Sequence, residues 1–308
     1  MERPLVSVVV PSFDQAEFVE ETLESVLSQH YPRLEVGVVD GGSTDGSVDV
    51  IRRYEDRLAW WVSEPDRGQA DALNKGFARA RGDLLTWVSS DDTLLPGAVE
   101  RLAAPFERDP ATVLVYGDAV FTDERSERGD RLPARPFDLV RQVRTCECHV
   151  VQPASMFSRR GWEAAGPFDP SRDWFFDFEL FVRMSEAGRV VKLEGEPLAT
   201  YRLHGESKSF ARPLVRARDY VRVAEEFFAN GLFRGELAGL EGEARASAYY
   251  HGGICYYEAL ALPDARRCFW RSLRLDPARA RRTLPLLART LLPAPVVSRL
   301  RARRAARR

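Results

Sequence analysis

The chain has 308 residues, of which 44% are hydrophobic and 30% are charged, and its formal net charge is −1. This length allows one large α/β domain with an appendage or two modest domains, and the composition excludes fibrous and disordered proteins. Residues 279–308 carry ten arginines and no acid, so the remainder sums to about −11; because that body is acidic and shows no nucleic-acid motif, we predict no nucleic-acid partner.

Signals for export and for membrane insertion are not apparent in the sequence. The first residues run directly into a strand-like stretch, and no apolar run reaches the ~18 residues that a bilayer span requires. Four cysteines are few for this length and fit a reducing compartment. Cys146 and Cys148 have neither the spacing nor the second pair of a closed zinc site. We predict a cytoplasmic protein, with any membrane contact peripheral.

The first 117 residues alternate between short β-branched runs and amphipathic segments. The predicted strands are 6–10, 34–39, 59–62, 84–88 and 113–115, and the predicted helices between them are 16–29, 47–54, 69–80 and 96–106. Strands that alternate with helices form a mostly parallel sheet flanked by helices, so the fold class is α/β.

The alternation of predicted strands and helices ends after residue 118. The polar stretch 123–136 contains a glycine and two prolines and is predicted to be an exposed connection, and a helix is predicted at 178–186. Residues 246–277 resemble one helix pair of the tetratricopeptide type. A single copy is not stable by itself, so this pair must pack on the rest of the chain or on a partner.

Three loops that follow predicted strands carry the polar residues. They are residues 11–14, 40–46 and 89–92, and in open α/β sheets ligands bind at this edge. The glycines of the second loop allow close approach of a ligand, and its acids can accept hydrogen bonds from ribose hydroxyls or a base N–H. The alternative is a solvated turn that is rich in turn-forming residues.

Asp91 and Asp92 are adjacent carboxylates at the end of a predicted strand. Like charges at this separation repel, and a divalent cation between them and a ligand phosphate removes the conflict. The alternative is a pair of exposed loop acids, the second of which caps the next helix.

Several motifs in this order resemble those of family 2 glycosyltransferases over residues 5–210. They are Val8-Val-Val-Pro-Ser-Phe, Asp40-Gly-Gly-Ser-Thr-Asp-Gly-Ser, Gly68-Gln-Ala-Asp-Ala-Leu-Asn-Lys-Gly76, Gly82-Asp83 and Ser89-Ser-Asp-Asp92. The resemblance implies a nucleotide-sugar-binding GT-A fold, a Mn or Mg ion, and inversion at the anomeric carbon. Within the family, the chain looks like bacterial enzymes that build O-antigen and other surface polysaccharides.

The resemblance also implies roles at the donor site. Pro11 and Ser12 line the nucleobase, and Asp40 binds the base or ribose within the loop that also contains Gly42 and Asp45. The family's Ala-Arg-Asn-x-Gly stretch is Ala72-Leu-Asn-Lys-Gly76 here, so a base-contacting arginine is missing. Asp71 or Lys75 is the candidate to compensate for it.

The metal site is implied in the same way. Asp91 and Asp92 stand where the family's Asp-x-Asp signature ends, and Ser89 replaces its first acid. Asp92 is the expected metal ligand, and Asp91 shares the metal and phosphate roles. In the late segment 201–207, His204 is expected to reach the metal or diphosphate, and Arg202 is expected to neutralise phosphate.

Asp177 occupies the position of the family's catalytic base, at the start of a predicted helix. Its aromatic neighbours are expected to desolvate it partly, and the plain alternative for an acid here is a helix cap. Glu179 is the rival base, although two residues along a helix it points elsewhere. His149 and Gln152 fall where acceptor or sugar contacts are expected.

The residues and the resemblance together predict an inverting glycosyltransferase. It is expected to move a sugar from a nucleotide-diphosphate donor, a UDP-sugar, to a hydroxyl of a glycan or lipid-linked glycan. The expected organisation is a GT-A domain at 1–210, with a donor half at 1–117 and an acceptor half at 118–210, a helical extension at 211–277 and a basic tail at 278–308. The alternative is an inactive nucleotide-sugar-binding or scaffold protein that recruits partners through its C-terminal helices. A nucleotidyltransferase would show a lysine-containing glycine-rich loop after the first strand, and Val10-Pro-Ser-Phe13 is not such a loop, so the sequence argues against that class.

The tail mixes leucines with arginines, a composition that suits the surface of an anionic membrane. We therefore expect peripheral contact with the inner face of the plasma membrane, where a lipid-linked acceptor is confined. The alternative is an unstructured arginine-rich end, because prolines interrupt the segment.

Overall fold

The computed structural model describes residues 2–205, 212–229 and 231–305, with side chains up to residue 299. The chain divides into two compact units, and both are discontinuous. The first comprises Met1–Phe137 and Cys148–Ser207, and the second comprises Asp138–Glu147 and Lys208–Arg308. The boundary at 207 lies close to the expected one at 210, but the segment 138–147, expected in the acceptor half, belongs to the second unit.

The strands all lie in the first unit. In chain order they are β1 Val6–Ser12, β2 Leu34–Asp40, β3 Trp60–Ser63, β4 Leu84–Trp87, β5 Thr112–Tyr116, β6 Ala119–Thr122, β7 Arg128–Leu132, β8 Ser155–Ser158, β9 Arg189–Lys192 and β10 Ala199–Arg202. Seven of them form one sheet in the order β3-β2-β1-β4-β8-β5-β9, and the other three form a small sheet in the order β10-β6-β7.

The large sheet is parallel from β3 to β4, and β8 enters antiparallel between β4 and β5. β1 is buried along its whole length, as expected for a β-branched strand that is covered on both faces. The helices of this unit are α1 Val19–Leu27, α2 Ser47–Arg52, α3 Gln69–Arg79, α4 Ala98–Arg108, α6 Arg159–Ala165 and α7 Phe176–Ser185. The predicted α/β fold is therefore confirmed.

The small sheet corrects one expectation. Residues 123–136, predicted to be an exposed connection, contain β7, which pairs antiparallel with β6. Asp118 accepts hydrogen bonds from Arg131 Nε at 2.6 Å and from Ala134 N at 2.9 Å, and so anchors the far end of this hairpin. The strand itself is largely exposed, which explains its polar sequence.

The second unit is helical. It contains α5 Leu139–Thr145, α8 Pro213–Glu225, α9 Glu241–Glu258, α10 Leu262–Leu275, α11 Ala280–Arg289 and α12 Ala294–Ala305. α9 and α10 form the predicted helix pair, and α9 also holds α5, because Ser247 Oγ donates to Arg144 O and the His251 ring pairs with Thr145 O at 3.0 Å. Among the helices described, none is both long and apolar enough to cross a bilayer.

The arginine-rich end is helical and packed as far as residue 299, so it is not an unstructured extension there. Val297 of α12 is fully buried in a cluster with Phe269 of α10, and Leu286 and Leu287 of α11 pack against that cluster. Of the prolines expected to interrupt a long helix, Pro293 lies between α11 and α12, whereas Pro285 lies inside α11 and Pro295 lies in the first turn of α12.

Candidate active site

Loops after three neighbouring parallel strands build the site at one edge of the large sheet. Ser12 at the end of β1 pairs with Asp40 at the end of β2, and Val9 pairs with Trp87 at the end of β4. Parallel pairing in this register brings loops 11–14, 40–46 and 89–92 together, as the sequence predicted.

Asp40 is fully buried, and its carboxylate is surrounded by donors of its own unit. It accepts hydrogen bonds from the backbone N–H groups of Gly42 and Ser43 at 3.0 and 2.9 Å, from Ser43 Oγ, and from Ser63 Oγ at 2.7 Å. These contacts fix the turn that follows β2, in which Gly42 has φ +85°. The Asp40 carboxylate therefore stabilises the turn after β2 through these hydrogen bonds.

The loops after β1 and β2 are joined by reciprocal hydrogen bonds. Asp14 Oδ1 accepts from Thr44 N at 2.9 Å, and Asp45 Oδ2 accepts from Ala16 N at 2.8 Å. Ser12 is buried, and within the described residues its hydroxyl makes no hydrogen bond. The two loops therefore form one rigid edge.

Phe13 was not among the predicted site residues. Its side chain is 58% exposed, and a Cβ built on Gly41 would lie 3.1 Å from its ring, so the ring stands directly over the glycine of the second loop. An exposed phenylalanine in a polar loop after a buried strand is a detectable signal for an aromatic binding surface.

Asp71 and Lys75 lie on α3 and are tied to nearby groups. Asp71 pairs with Arg67 at 2.9 Å, and this bond is the main reason that the pKa of Asp71 lies below its ordinary value. Lys75 Nζ pairs with Glu64 at 2.9 Å and donates to Pro65 O at 3.1 Å. These residues bind the segment before α3 to the helix.

Asp91 and Asp92 lie in the turn after β4, in different environments. Asp92 is buried, and its Oδ1 accepts from Arg202 N at 2.8 Å, while its second carboxylate oxygen makes no hydrogen bond within the described residues. Burial, together with the charge of Asp91, raises the pKa of Asp92 well above its usual range. Asp91 is half-buried, and its Oδ2 lies 3.1 Å from His204 Nε2.

Arg202 has a side chain that is 1% exposed, and its contacts hold several segments together. Its Nε donates to Asp91 O at 2.8 Å, its Nη1 donates to Asp123 O at 3.0 Å, and its Nη2 pairs with Glu21 at 2.6 Å. The guanidinium carbon lies 4.9 Å from the centre of the Phe18 ring, on which the His204 ring also packs, at 4.8 Å.

The donor set at this position suits a divalent cation, although no group of three ligating side chains is found among the residues that the structure describes. Asp91 Oδ2 and His204 Nε2 face each other at 3.1 Å, and Asp92, whose carboxylate is buried, follows Asp91 directly in the same turn. Carboxylate and imidazole are ligands that Mn²⁺ accepts, and a cation relieves the repulsion between the two acids.

Asp177 lies in the first turn of α7, which begins after Phe175 in a left-handed conformation with φ +69°. Burial raises the pKa of Asp177 above its ordinary value, and a hydrogen bond from Phe178 N at 2.8 Å offsets this in part. Next to it in sequence, the Phe175 ring stacks on Trp174 at 5.0 Å and on Phe178 at 4.5 Å. The expected desolvation by aromatic neighbours matches this environment.

Glu179, the rival to Asp177, is buried in ion pairs. Arg172 Nε lies 3.0 Å from its Oε1, and Arg183 Nη1 lies 3.9 Å from its Oε2. With two cations beside it, the Glu179 carboxylate is a poor proton acceptor, so the contacts favour Asp177 as a base.

Residues 149–152 and Asn74 make structural contacts in this unit. His149 is buried and its Nδ1 pairs with Pro136 O at 3.1 Å, while Gln152 Nε2 donates to Trp87 O at 2.9 Å. Asn74, which was not among the predicted site residues, exchanges two hydrogen bonds with the backbone of Phe168, at 2.9 and 3.0 Å. It fixes the loop that leads towards α7.

Comparison with known proteins adds independent information. A model of the family described as glycosyl transferase family 2 matches residues 7–164. The chain is 24% identical over 227 residues to a chondroitin synthase of Escherichia coli; the alignment covers 72% of this chain and 32% of that protein. The chain spans at most about two thirds of the length of the curated relatives it matches first.

Two solved structures have a similar fold. S. aureus TarS 1-349 in complex with UDP-GlcNAc has a TM-score of 0.63 at 17% identity, covering 93% of this chain and 90% of that one. The mannosyltransferase PcManGT from Pyrobaculum calidifontis, in complex with GDP-Man and Mn2+, has a TM-score of 0.57 at 21% identity, covering 96% and 87%. At these identities the likeness establishes the fold.

Proposed function

The chain belongs to glycosyl transferase family 2, and we propose that it is an inverting enzyme that moves a sugar from a nucleotide-diphosphate donor to an acceptor hydroxyl. One observation carries the proposal: Asp91 Oδ2 and His204 Nε2 lie 3.1 Å apart, next to Asp92, at the sheet edge where the loops after β1, β2 and β4 meet. Ligands of open α/β sheets bind at this edge.

The donor is proposed to be a UDP-sugar that lies across the loops after β1 and β2. The TarS complex with UDP-GlcNAc supports a nucleotide-sugar donor for this fold. The exposed Phe13 ring over Gly41 offers a flat apolar surface for a nucleobase, and the buried Ser12 hydroxyl is available for a hydrogen bond. The further donor positions that we propose are Pro11, Asp40, Gly42, Asp45, Asp71, Lys75 and Asp91.

A Mn or Mg ion is proposed to be held by Asp91, Asp92 and His204. The PcManGT complex with Mn2+ supports a divalent ion at such a site. When bound, the ion offsets the charge on the departing diphosphate. The contacts of Arg202 favour a role in positioning Asp91 over a direct contact with phosphate, because its guanidinium is buried and its donors point at protein oxygens.

Asp177 is proposed as the general base. It takes the proton from the acceptor hydroxyl as that oxygen attacks C1 of the donor sugar, which inverts the configuration at C1. Its raised pKa makes it a better proton acceptor than an exposed aspartate. The stacking of the Phe175 ring on Trp174 and on Phe178 supports an apolar setting at this end of α7.

The acceptor is proposed to be a glycan or lipid-linked glycan of a bacterial surface polysaccharide, which the likeness to a chondroitin synthase supports. We place the reaction in the cytoplasm, at the inner face of the plasma membrane, where a lipid-linked acceptor is confined. The four free cysteines fit that compartment.

A donor panel tests the proposal. Purified protein is incubated with UDP- and GDP-sugars and Mn²⁺, and hydrolysis and the shift of the melting temperature are recorded for each, with Asp177→Asn as the control that binds donor without turning it over. Binding without turnover by the wild-type protein, even with candidate acceptors, would favour an inactive sugar-binding protein. Calorimetry with excess chelator tests the ion separately: equally tight binding of nucleotide diphosphate, or no effect of Asp92→Asn, would exclude the proposed metal role.

A further inference from the structure

Large apolar side chains are exposed in the last part of the second unit. The exposed fraction is 56% for Trp270 on α10, 51% for Leu284 on α11, 67% for Leu291, 39% for Leu292 and 41% for Val296 on α12. Burial of such side chains is favourable, so a cluster of them at the surface indicates a binding site.

The same helices have other side chains that form the packing. α11 buries Thr283, and it directs Leu286 and Leu287 at the cluster around Phe269; Thr290 is buried at its end. The inward face is therefore complete without Leu284 or Leu291. The exposed residues are not required to hold these helices in place.

The exposed leucines of α11 and its continuation lie on one helix face beside α10, and Leu292 and Val296 follow them in the chain. Leu284, Ala288 and Leu291 are spaced by four and three residues along α11 and the turn that continues it, so they follow one another on the same helix face. Arg266 Nη2 donates to Thr290 O at 2.7 Å, which brings α10 against the end of α11. Trp270 is one turn from Arg266 on α10.

The charge of the last two helices, α11 and α12, is of one sign. Residues 277–308 contain no acid, and within the described residues Arg274, Arg281, Arg282 and Arg289 make no ion pair. Arginines without acidic partners beside exposed leucines and a tryptophan complement a surface that is anionic outside and apolar beneath. An anionic phospholipid bilayer has this chemistry, and a tryptophan ring suits the boundary between its headgroups and acyl chains.

We propose that this C-terminal surface, formed by Trp270, Leu284, Leu291, Leu292 and Val296 with Arg274 and Arg281, binds an anionic phospholipid bilayer peripherally. The inference deepens the proposed function by naming the surface that would bring the protein to a lipid-linked acceptor. Lipid binding needs no catalysis, so the lipid-binding proposal and the proposed glycosyl transfer can fail separately.

Flotation with liposomes tests the proposal on the full-length chain. Vesicles of phosphatidylcholine alone and vesicles that also contain phosphatidylglycerol are compared at low and high salt. We expect wild-type protein to float with the anionic vesicles at low salt and to be released as salt screens the arginines. Removing the charge of Arg274 or Arg281, as in Arg281→Gln, should lower the partition coefficient about fivefold each.

The double variant Leu291→Ser/Leu292→Ser should lower the partition coefficient by about tenfold or more. The matched control is Leu214→Ser, because Leu214 on α8 is 42% exposed but lies outside this surface, and it should float as the wild type does. Truncation before residue 278 is a poor test, because it removes Val297 and uncovers Phe269. Equal melting temperatures would show that the variants remain folded.

Other outcomes overturn the proposal. If wild-type protein does not float with anionic vesicles, or if the surface variants and Leu214→Ser float equally, the C-terminal surface does not bind lipid. A wild-type dimer that Leu291→Ser/Leu292→Ser converts to a monomer, without flotation, would assign the surface to a second copy of the chain. Asp177→Asn should float normally, and donor hydrolysis by the surface variants should be unchanged, so loss of either activity is traced to its own site.

Discussion

Replacing Arg202 by methionine keeps most of the aliphatic volume of the side chain and removes its buried cation. Hydrogen bonds from a charged donor contribute about 1.5 to 3 kcal/mol each, and Arg202 makes two to the carbonyls of Asp91 and Asp123. The ion pair with Glu21, whose side chain is 47% exposed, adds at most about 1 kcal/mol. With partial replacement by water, we expect the free energy of unfolding to fall by about 3 to 5 kcal/mol.

Urea unfolding measures that loss, and calorimetry measures donor affinity in the presence of Mn²⁺. Arg202→Lys retains the charge but not the planar fork, so it should recover only part of the stability. In the positioning role, stability and donor affinity fall together, because the turn that carries Asp91 loses its anchor. If Arg202→Met unfolds at the urea concentration of the wild type and loses only donor affinity, Arg202 contacts the diphosphate directly and the positioning role is wrong.

Three further outcomes are expected. Asp177→Asn should keep donor affinity and lower kcat by about 10² to 10⁴, and transfer at the wild-type rate would place the base elsewhere. Because burial raises the pKa of Asp177 above its ordinary value, the transfer rate should rise with pH through the raised pKa. The free energy of unfolding should fall over the same pH window, since the buried carboxyl must ionise in the native state. Urea unfolding should show this slope in the wild type and not in Asp177→Asn. Gly76→Ala would place Cβ 2.4 Å from Val9 Cγ1 and should lower the unfolding free energy by about 1 to 3 kcal/mol, whereas Gly129→Ala, with 3.7 Å to its nearest atom, should change it little.

The donor half was readable from the sequence because its signals are local. β-branched runs alternate with amphipathic helices, and the structure places β1, β2, β3, β4 and β5 where those runs predict them. β1 extends two residues further than predicted, because Pro11 and Ser12 pair with Val39 and Asp40. The convergence of the loops then follows from parallel pairing alone.

The acceptor half was less predictable because two of its strands have sequences without a strand pattern. β8 is four residues long and has no distinctive period, yet it pairs antiparallel with both β4 and β5. β7 is polar because it is exposed, so its sequence resembles a loop. Neither segment carries a signal of its own sheet. β8 takes its place from β4 and β5 by pairing such as that of Leu85 with Phe157, 72 residues apart, and β7 takes its place from the hairpin with β6.

Side-chain roles divide in the same way. The residue types at Asp177 and at Asp91 indicated acid–base and metal chemistry, but the residues that orient them were not apparent. Arg202 is more than a hundred residues from Asp91 in the chain, and its burial and its four hydrogen-bond acceptors are consequences of the tertiary fold. Sequence patterns indicate what a side chain is able to do, and the fold decides where its donors point.

The division of the second unit between residues 138–147 and 208–308 has a consequence for how the protein is made. α5 leaves the ribosome well before α9, to which Ser247 and His251 attach it, so on the nascent chain α5 waits without its native neighbour. A fragment that stops after the first unit keeps α5 permanently in that state, with the normally buried Val143 uncovered. Limited proteolysis of chains of increasing length should therefore show cleavage within α5 until α9 has been synthesised.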